Sequence, residues 1–600
     1  MTNQHIKIIC DKNDHILDKF TQLVNKIAAG NIDADGMSYL NASRGIAIPK
    51  NEEGDLRPIT VGQVLLRFTG SLSLRTMKEE IQSFFSPLQF GVGTQSGCEL
   101  MINAVSARLQ LNPDDVCISC DSRNAFNSFD RSKIWKPLFK HFPCLAQLVR
   151  LCYGQAGTVT LLDADRRPPS IIRSSVGSRQ GCSLGSFLFC LAIHEELTNL
   201  QLAYPNLLVI GYCDDVNIVG PPEEAFDAYQ RWKYVYALHI QGSLRDDKGC
   251  VYSRSHPNST LVNKYQCPAN MKFSSDGIKI LGAPVGCPKF VYNFVEAKVV
   301  EIERQMEIVK HMPLLHAQFA ITSKAIQHRI PFLFRCVYLG NRACFSLLAA
   351  RYDRAITSVV RQTLNHRHQL SENAVTITQL PLSQGGLALR SWFDIADASY
   401  LASFAFASLV IPHLFPSLKD AFIAPSISSN TSIDPITVPT ANNNTQIHPS
   451  DQPLINPFQL PTLFPCPPTP HYIHQISNQS HDASIALNSL NISHQDRERV
   501  LERLGPFRSL RNIQNDIMTI IYEQKLATFI QRLRDDSNLR APQFLAYFLS
   551  AMKDPYTWNT TPSHQDTTMS NRQFTVALTL RLLEPLNPFI QEDVSSLNLY

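Results

Sequence analysis

Two short apolar runs, Leu207-Leu208-Val209-Ile210-Gly211 and Val216-Asn217-Ile218-Val219-Gly220, meet at the acidic sequence Tyr212-Cys213-Asp214-Asp215. Runs of this length, rich in Val and Ile and broken by a tight polar turn, predict a β-hairpin with adjacent carboxylates at its tip. Like charges side by side raise the free energy unless a cation neutralises them. Hard carboxylate oxygens suit Mg2+ in that role. An isolated Asp pair is ordinarily a solvated turn, so the weight of this hairpin depends on the rest of the chain.

Six hundred residues exceed one core, so two or three domains are expected. The formal net charge of +4 does not mark a nucleic-acid binder, but the distribution of charge is uneven. From Ile308 to Leu370 there are nine Lys or Arg and one acid, Asp353, whereas Asp420 to Asp496 holds no Lys or Arg. Fifteen cysteines scattered singly fit free thiols in a reducing compartment. The one close pair, Cys117 and Cys120, lies in the apolar run Val116–Cys120 and has no second pair at zinc spacing, so it reads as buried strand cysteines. A secretory signal and an uncharged apolar run of membrane-spanning length are both lacking, so the chain is expected to be intracellular and to make no membrane contact.

Residues 1–45 carry a helical pattern, and Gly45 to about Gly286 alternates helical and strand signals, an α+β arrangement. Residues 290–411 are mostly helical in pattern. Residues 421–470 hold eleven prolines among many Asn, Ser and Thr, the composition of a linker. A last helical segment runs from about 494. Its pattern Arg497-Glu498-Arg499 reads as a solvated helix face.

Asp121 stands at the end of the apolar run Val116–Cys120, where an ionised carboxylate needs a partner; a metal shared with Asp214 and Asp215 would supply one. The polar turn Ser178-Arg179-Gln180-Gly181-Cys182 runs straight into an apolar helix, presenting amides and Gln180 at the start of that helix. Pro49-Lys50 and Leu56-Arg57-Pro58 place two cations on either side of a Gly54 turn. Taken in order, Ile48–Lys50 with Arg57–Ile59, Leu88–Gly93, Asp121–Asp130, Arg179–Cys182 with Leu188-Phe189, and Tyr212–Asp215 resemble the reverse transcriptases of non-LTR (LINE-like) retrotransposons. Lys279–Gly286 resembles the hairpin that grips the primer end, and Leu380–Leu387 a motif that follows the thumb. The resemblance covers roughly residues 15–405.

The resemblance implies a right-hand polymerase of α+β class. N-terminal helices and fingers would occupy 1–115, the palm 116–290 (interleaved with fingers), and a helical thumb and connection 291–411. A linker over 421–470 and a helical C-terminal domain over 494–600 would follow, ending before a nuclease module. It further implies RNA-directed synthesis of DNA from dNTPs on an RNA template and a DNA primer, with two Mg2+ ions for which Mn2+ can substitute. Asp121, Asp214 and Asp215, with the carbonyl of Ser122, match the metal ligands. Lys50 and Arg57 match the cations on the incoming triphosphate, Phe126 the bulky group that excludes a 2′-hydroxyl, and Gln180 and Gly181 the segment against nucleotide and template. Lys248 is the candidate general acid for pyrophosphate, in a block, Leu244–Cys250, that lacks the family's Asn and gains a residue. Lys310, Lys324, Arg329, Arg335 and Arg342 would follow the template–primer backbone. A nuclear site follows from a DNA target. Two other readings stay open: an inactive or co-opted nucleic-acid-binding protein of the same fold, and an RNA-dependent RNA polymerase, against which Phe126 speaks.

Overall fold

The computed structural model describes residues 3–12, 14–49, 56–161, 170–265, 267–268, 270–339, 343–364, 370–422, 490, 492–503, 510–535 and 578. The chain divides into two compact units, Met1–Gly282 and Ala283–Tyr600.

The first unit opens with three helices, Asn3–Lys12, Asp14–Ala28 and Ala34–Asn41, in the stretch whose sequence carries a helical pattern. Two sheets follow. Strands β1 (Ser43–Pro49), β2 (Leu56–Gly62), β4 (Gly157–Leu161) and β5 (Ser170–Ser174) form a four-stranded sheet in the order β2-β1-β4-β5. Strands β3 (Val116–Cys120), β6 (Leu208–Tyr212), β7 (Asp215–Gly220), β8 (Cys250–Ser253) and β9 (Lys272–Ser274) form the second sheet, ordered β6-β7-β3-β8-β9. β3 is its central strand, and it reads as an unbroken apolar run because both of its faces are covered. Cys117 and Cys120 are buried in it, and burial pushes both thiols well above their usual range.

Helices Gly97–Leu111 and Pro222–Val235 pack against the strands of this second sheet, and helix Gly185–Ala203 reaches β6. The latter is apolar around its whole circumference at Phe187-Leu188-Phe189-Cys190-Leu191, all fully buried, as a helix through the middle of a core must be. Strand β10 (Gly277–Ile280) closes the first unit.

The second unit begins with β11 (Ala283–Gly286) and is otherwise helical among its described residues. Helix Pro288–Lys310 lies along helix Ala343–Thr363. Contrary to the sequence reading that an apolar run of membrane-spanning length is lacking, helix Trp392–Leu414 is long and apolar enough to cross a membrane by length and composition, and 78% of its apolar window is buried. Its cover comes from Pro331–Cys336, Ala343–Thr363 and, from beyond the proline-rich stretch, Leu510–Asp535. Gln514 donates to the Ser399 hydroxyl (2.8 Å), and Lys525 donates to Asp394 and to Gln379 (both 2.7 Å). The described helices after residue 490, His494–Arg503 and Leu510–Asp535, therefore belong to the core of the same unit as Trp392–Leu414. Residues 421–470, expected to be a linker, lie outside the described residues except for Ala421 and Phe422.

Asp353, the one acid between Ile308 and Leu370, is almost fully enclosed here. It accepts from the Trp392 amide (2.8 Å) and the Ser391 hydroxyl (2.5 Å) at the start of the Trp392 helix. Burial pushes its pKa up to about 6 against the pull of those two hydrogen bonds.

Candidate active site

The hairpin of β6 and β7 forms as its sequence dictates, with Tyr212 paired to Asp215 and a two-residue turn of Cys213 and Asp214. Tight hairpin turns need a positive φ at their first central residue. Cys213 takes it, at φ 53°, although it bears a side chain that makes this region costly by about 1–2 kcal/mol. β7 also pairs with β3, and the register Cys120↔Val216 sets Asp121, one residue past β3, across from Asp215. Topology thus brings Asp121 and Asp215, 94 positions apart in sequence, to one end of one sheet.

The electrostatics agree. The Asp215 carboxyl is pushed up to about 6, first by the protein packed around it, then by the charges of Asp214 and Asp121, while Lys279 pulls it down. Because the side chain also reaches solvent, desolvation is incomplete and the like charges are the firmer cause. Among the described residues no three His, Cys, Asp or Glu side chains are already drawn together tightly enough to enclose a metal ion. Three hard-oxygen donors that repel one another at one sheet end nonetheless fit a divalent cation, whose charge would offset that repulsion. Lys279 in β10 entered the sequence reading only as the start of the Lys279–Gly286 block, not as a neighbour of these carboxylates. It stands 64 positions after Asp215, and only the fold brings its charge to bear.

The other expected residues fall around this end in different degrees. Gln180 and Gly181 are laid on β2: the Thr60 amide donates to the Gln180 carbonyl (2.6 Å). Gly181 has φ 109°, and a Cβ there would stand 2.4 Å from the Thr60 carbonyl oxygen, so both conformation and space demand glycine. The Gln180 Oε1 is buried without a hydrogen-bond partner. Arg57 is exposed on the same strand β2. Lys50 lies outside the described residues. Arg179, beside Gln180, is a structural group: it donates to Asn41 and the Cys152 carbonyl and stacks over Tyr153.

Phe126 is half-buried, with its ring 5.0 Å from that of Phe189 and its carbonyl accepting from the Ser178 amide and hydroxyl. It is at once part of the core rim and tied to the turn that carries Gln180. Ser122 bridges Leu244, and the Arg245 amide donates to the Asp121 carbonyl (2.8 Å). The irregular block Leu244–Cys250 is thereby fastened to the end of β3, with Lys248 exposed on the turn that follows.

The expected nucleic-acid cations of the helical unit meet acids that the sequence window did not contain. Lys310 pairs with Glu307 (2.9 Å) and Arg329 with Glu301 (3.0 Å). Arg335 lies over the Phe332 ring, and Lys324 is exposed on its helix. Arg342 lies outside the described residues. An open cleft of about 700 Å3 between Pro288–Lys310 and Ala343–Thr363 is lined by Lys310, Arg351, Arg354 and Arg361, but also by Glu303 and Glu307. Phe334 is fully buried core.

The end of β3 and the β6-β7 hairpin bring Asp121, Asp214 and Asp215 to one end of a single sheet. Residues 48–258 match the family model described as reverse transcriptase (RNA-dependent DNA polymerase), and this part of the chain is a reverse transcriptase domain. Domains of this family generally use divalent metal ions. The chain is 23% identical over 368 residues to the retrotransposable element SLACS 132 kDa protein of Trypanosoma brucei gambiense, covering 59% of this chain and 29% of that protein. It therefore spans less than a third of that relative's length. Similar solved structures include apo telomerase from Candida tropicalis (11% identity, 66% of this chain and 71% of that one, TM-score 0.34). Another is Candida albicans telomerase in complex with a TWJ fragment of telomeric RNA (12% identity, 59% and 68%, TM-score 0.32).

Proposed function

We propose that the chain extends a DNA primer on an RNA template, as the polymerase of a non-LTR retroelement acting in the nucleus. The observation that carries this reading is the meeting of Asp121, Asp214 and Asp215 at one sheet end, with Asp215 held near pKa 6 partly by the other two. These carboxylates, with the Ser122 carbonyl, would hold two divalent ions, Mg2+ or Mn2+. Bound there, such ions supply activation of the primer hydroxyl and neutralisation of the leaving pyrophosphate. Arg57, and Lys50 before it, neutralise the triphosphate of the incoming dNTP. Phe126 closes the space that a ribose 2′-hydroxyl would need, and Gln180, whose Oε1 is buried without a partner, packs with Gly181 against nucleotide and template. Lys248, fastened beside Asp121 by the Leu244–Cys250 block, donates a proton to pyrophosphate. Lys310, Lys324, Arg329, Arg335 and Arg342 contribute phosphate contacts along the duplex.

Primer extension on an RNA template, with dNTPs or rNTPs and Mg2+ or Mn2+, tests this. Extension with dNTPs that disappears in Asp214→Ala is the expected result. Template binding without extension would favour a non-catalytic nucleic-acid-binding protein, and preferential use of rNTPs an RNA polymerase. Phe126→Ala is expected to admit rNTPs with a gain of about tenfold or more in their relative use, a change worth at least ~1.4 kcal/mol of discrimination. Unchanged sugar selectivity would remove Phe126 from that role.

A further inference from the structure

Gln89 lies in the segment between helices Lys78–Phe85 and Gly97–Leu111, and is 1% exposed. Its carboxamide faces the backbone of Cys213, 124 positions away. Oε1 accepts from the Cys213 amide (2.6 Å) and from the Gly91 amide (3.1 Å), and Nε2 donates to the Cys213 carbonyl (3.1 Å). Main-chain bonds seat the segment: Phe90 donates to the Gly211 carbonyl (2.8 Å) and Gly211 to the Leu88 carbonyl (2.7 Å). β6 is the edge strand of its sheet, and the segment makes a short parallel bridge there, Gln89↔Gly211.

The side chain thus does for Cys213 what a facing residue does in a hydrogen-bonded antiparallel pair, occupying both its N–H and its C=O. Cys213 needs such a partner. It is a side-chain-bearing residue held at φ 53°, and a conformation of this kind persists only where its surroundings over-determine it. Gly91 makes the approach feasible, since a Cβ there would stand 2.5 Å from both the Cys213 nitrogen and its sulfur. The next residue in the chain is Asp214.

We infer that Gln89 is a positioning residue of the nucleotidyl-transfer centre: by clamping the Cys213 backbone it fixes where Asp214 and Asp215 present their carboxylates. The inference rests on the polymerase reading, because it assumes that those carboxylates hold metal. Fixing the backbone one residue before a ligand matters because a displacement of about 1 Å can cost a hundredfold in rate.

The test uses the full chain and Mn2+ as the probe, with binding followed by loss of the free-ion electron paramagnetic resonance signal. Gln89→Met keeps the volume and removes all three hydrogen bonds. It is expected to raise the Mn2+ dissociation constant about tenfold and lower kcat about a hundredfold. KM for dNTP and template–primer affinity should stay within about twofold, with the circular dichroism of the folded protein retained. A merely structural loss would reduce the active fraction and leave the Mn2+ constant of the folded fraction unchanged, which would overturn the inference. Should Q89M fail to fold, Gln89→Asn, which keeps the amide but withdraws it by about one bond length, is measured in the same way. If neither variant folds, Gln89 is a folding residue and the positioning role falls. A wild-type chain that binds no Mn2+ overturns the inference as well. A chain that binds Mn2+ without extending primers overturns only the polymerase reading, and the Mn2+ comparison still judges Gln89.

Discussion

The end of the β6-β7-β3 sheet and the cleft between helices Pro288–Lys310 and Ala343–Thr363 treat charge in opposite ways. At the sheet end, three carboxylates are brought together, and burial, followed by the negative charges of Asp214 and Asp121, raises the pKa of Asp215. In the helical cleft, cations are met by acids. Arg351 pairs with Glu303 (2.6 Å) and Glu296 (3.3 Å), and Lys310 with Glu307. Hydrogen bonds from Arg351 and Lys310 hold Glu303 and Glu307 below the usual carboxylate range. Paired charges fasten helices and ask for nothing more. Repelling charges held at one sheet end carry a cost that protonation or a neighbouring positive charge such as Lys279 lowers.

The sharpest way to break this comparison is Asp214→Ala. Primer extension should fall by about a thousandfold or more, the loss of several kcal/mol of transition-state stabilisation. The thermal unfolding midpoint should stay level or rise, because one of three like charges is gone. Activity and midpoint falling together would make the carboxylates structural.

A smaller effect is expected from Asp353, a carboxylate enclosed within the helical unit. The folded-state pKa of Asp353, about 6, lies above the ordinary carboxylate value, so the folded unit binds this proton more tightly than the unfolded chain. The associated stability is fully present below about pH 4 and is lost as the pH rises through 6, amounting to up to about 3 kcal/mol. Asp353→Asn should flatten that slope in unfolding midpoints measured between about pH 4 and 7. A variant with the wild-type slope would remove Asp353 as its source.

The mildest change sharpens the other side of the contrast. Glu307→Gln releases Lys310 from its ion pair and should tighten template–primer binding about two- to threefold at low salt, with a steeper salt dependence. Unchanged affinity would place Lys310 away from the nucleic acid.

What could be read from the sequence follows the range of the forces involved. The hairpin and the strand ahead of Asp121 were legible because β-runs and turn chemistry are local, and the order of the motifs tied them together. The clamp by Gln89 was not. The block Leu88–Gly93 was visible, but nothing local says that its amide meets Cys213. The acids opposite Lys310 and Arg329 were missed for a related reason. Residues 308–370 look almost free of acid because that window starts one residue after Glu307, an i,i+3 neighbour of Lys310 on the same helix, while Glu301 meets Arg329 only through packing. Asp353 stood out as an exception in a basic stretch, and the fold shows it serving the start of the Trp392 helix. Sequence pattern likewise separated the helices after the proline-rich stretch from those before it, whereas the apolar face of Trp392–Leu414 draws Leu510–Asp535 back onto it.

That cover has a consequence during synthesis. Helix Trp392–Leu414 leaves the ribosome roughly 95 residues ahead of the helix that completes its enclosure. At about 5–20 residues per second, a membrane-grade apolar surface waits some 5–20 seconds for its partner on every nascent chain. Slow decoding through the Asn- and Pro-rich stretch would lengthen that wait, so the yield of native protein should be governed by chaperone capture of a single helix.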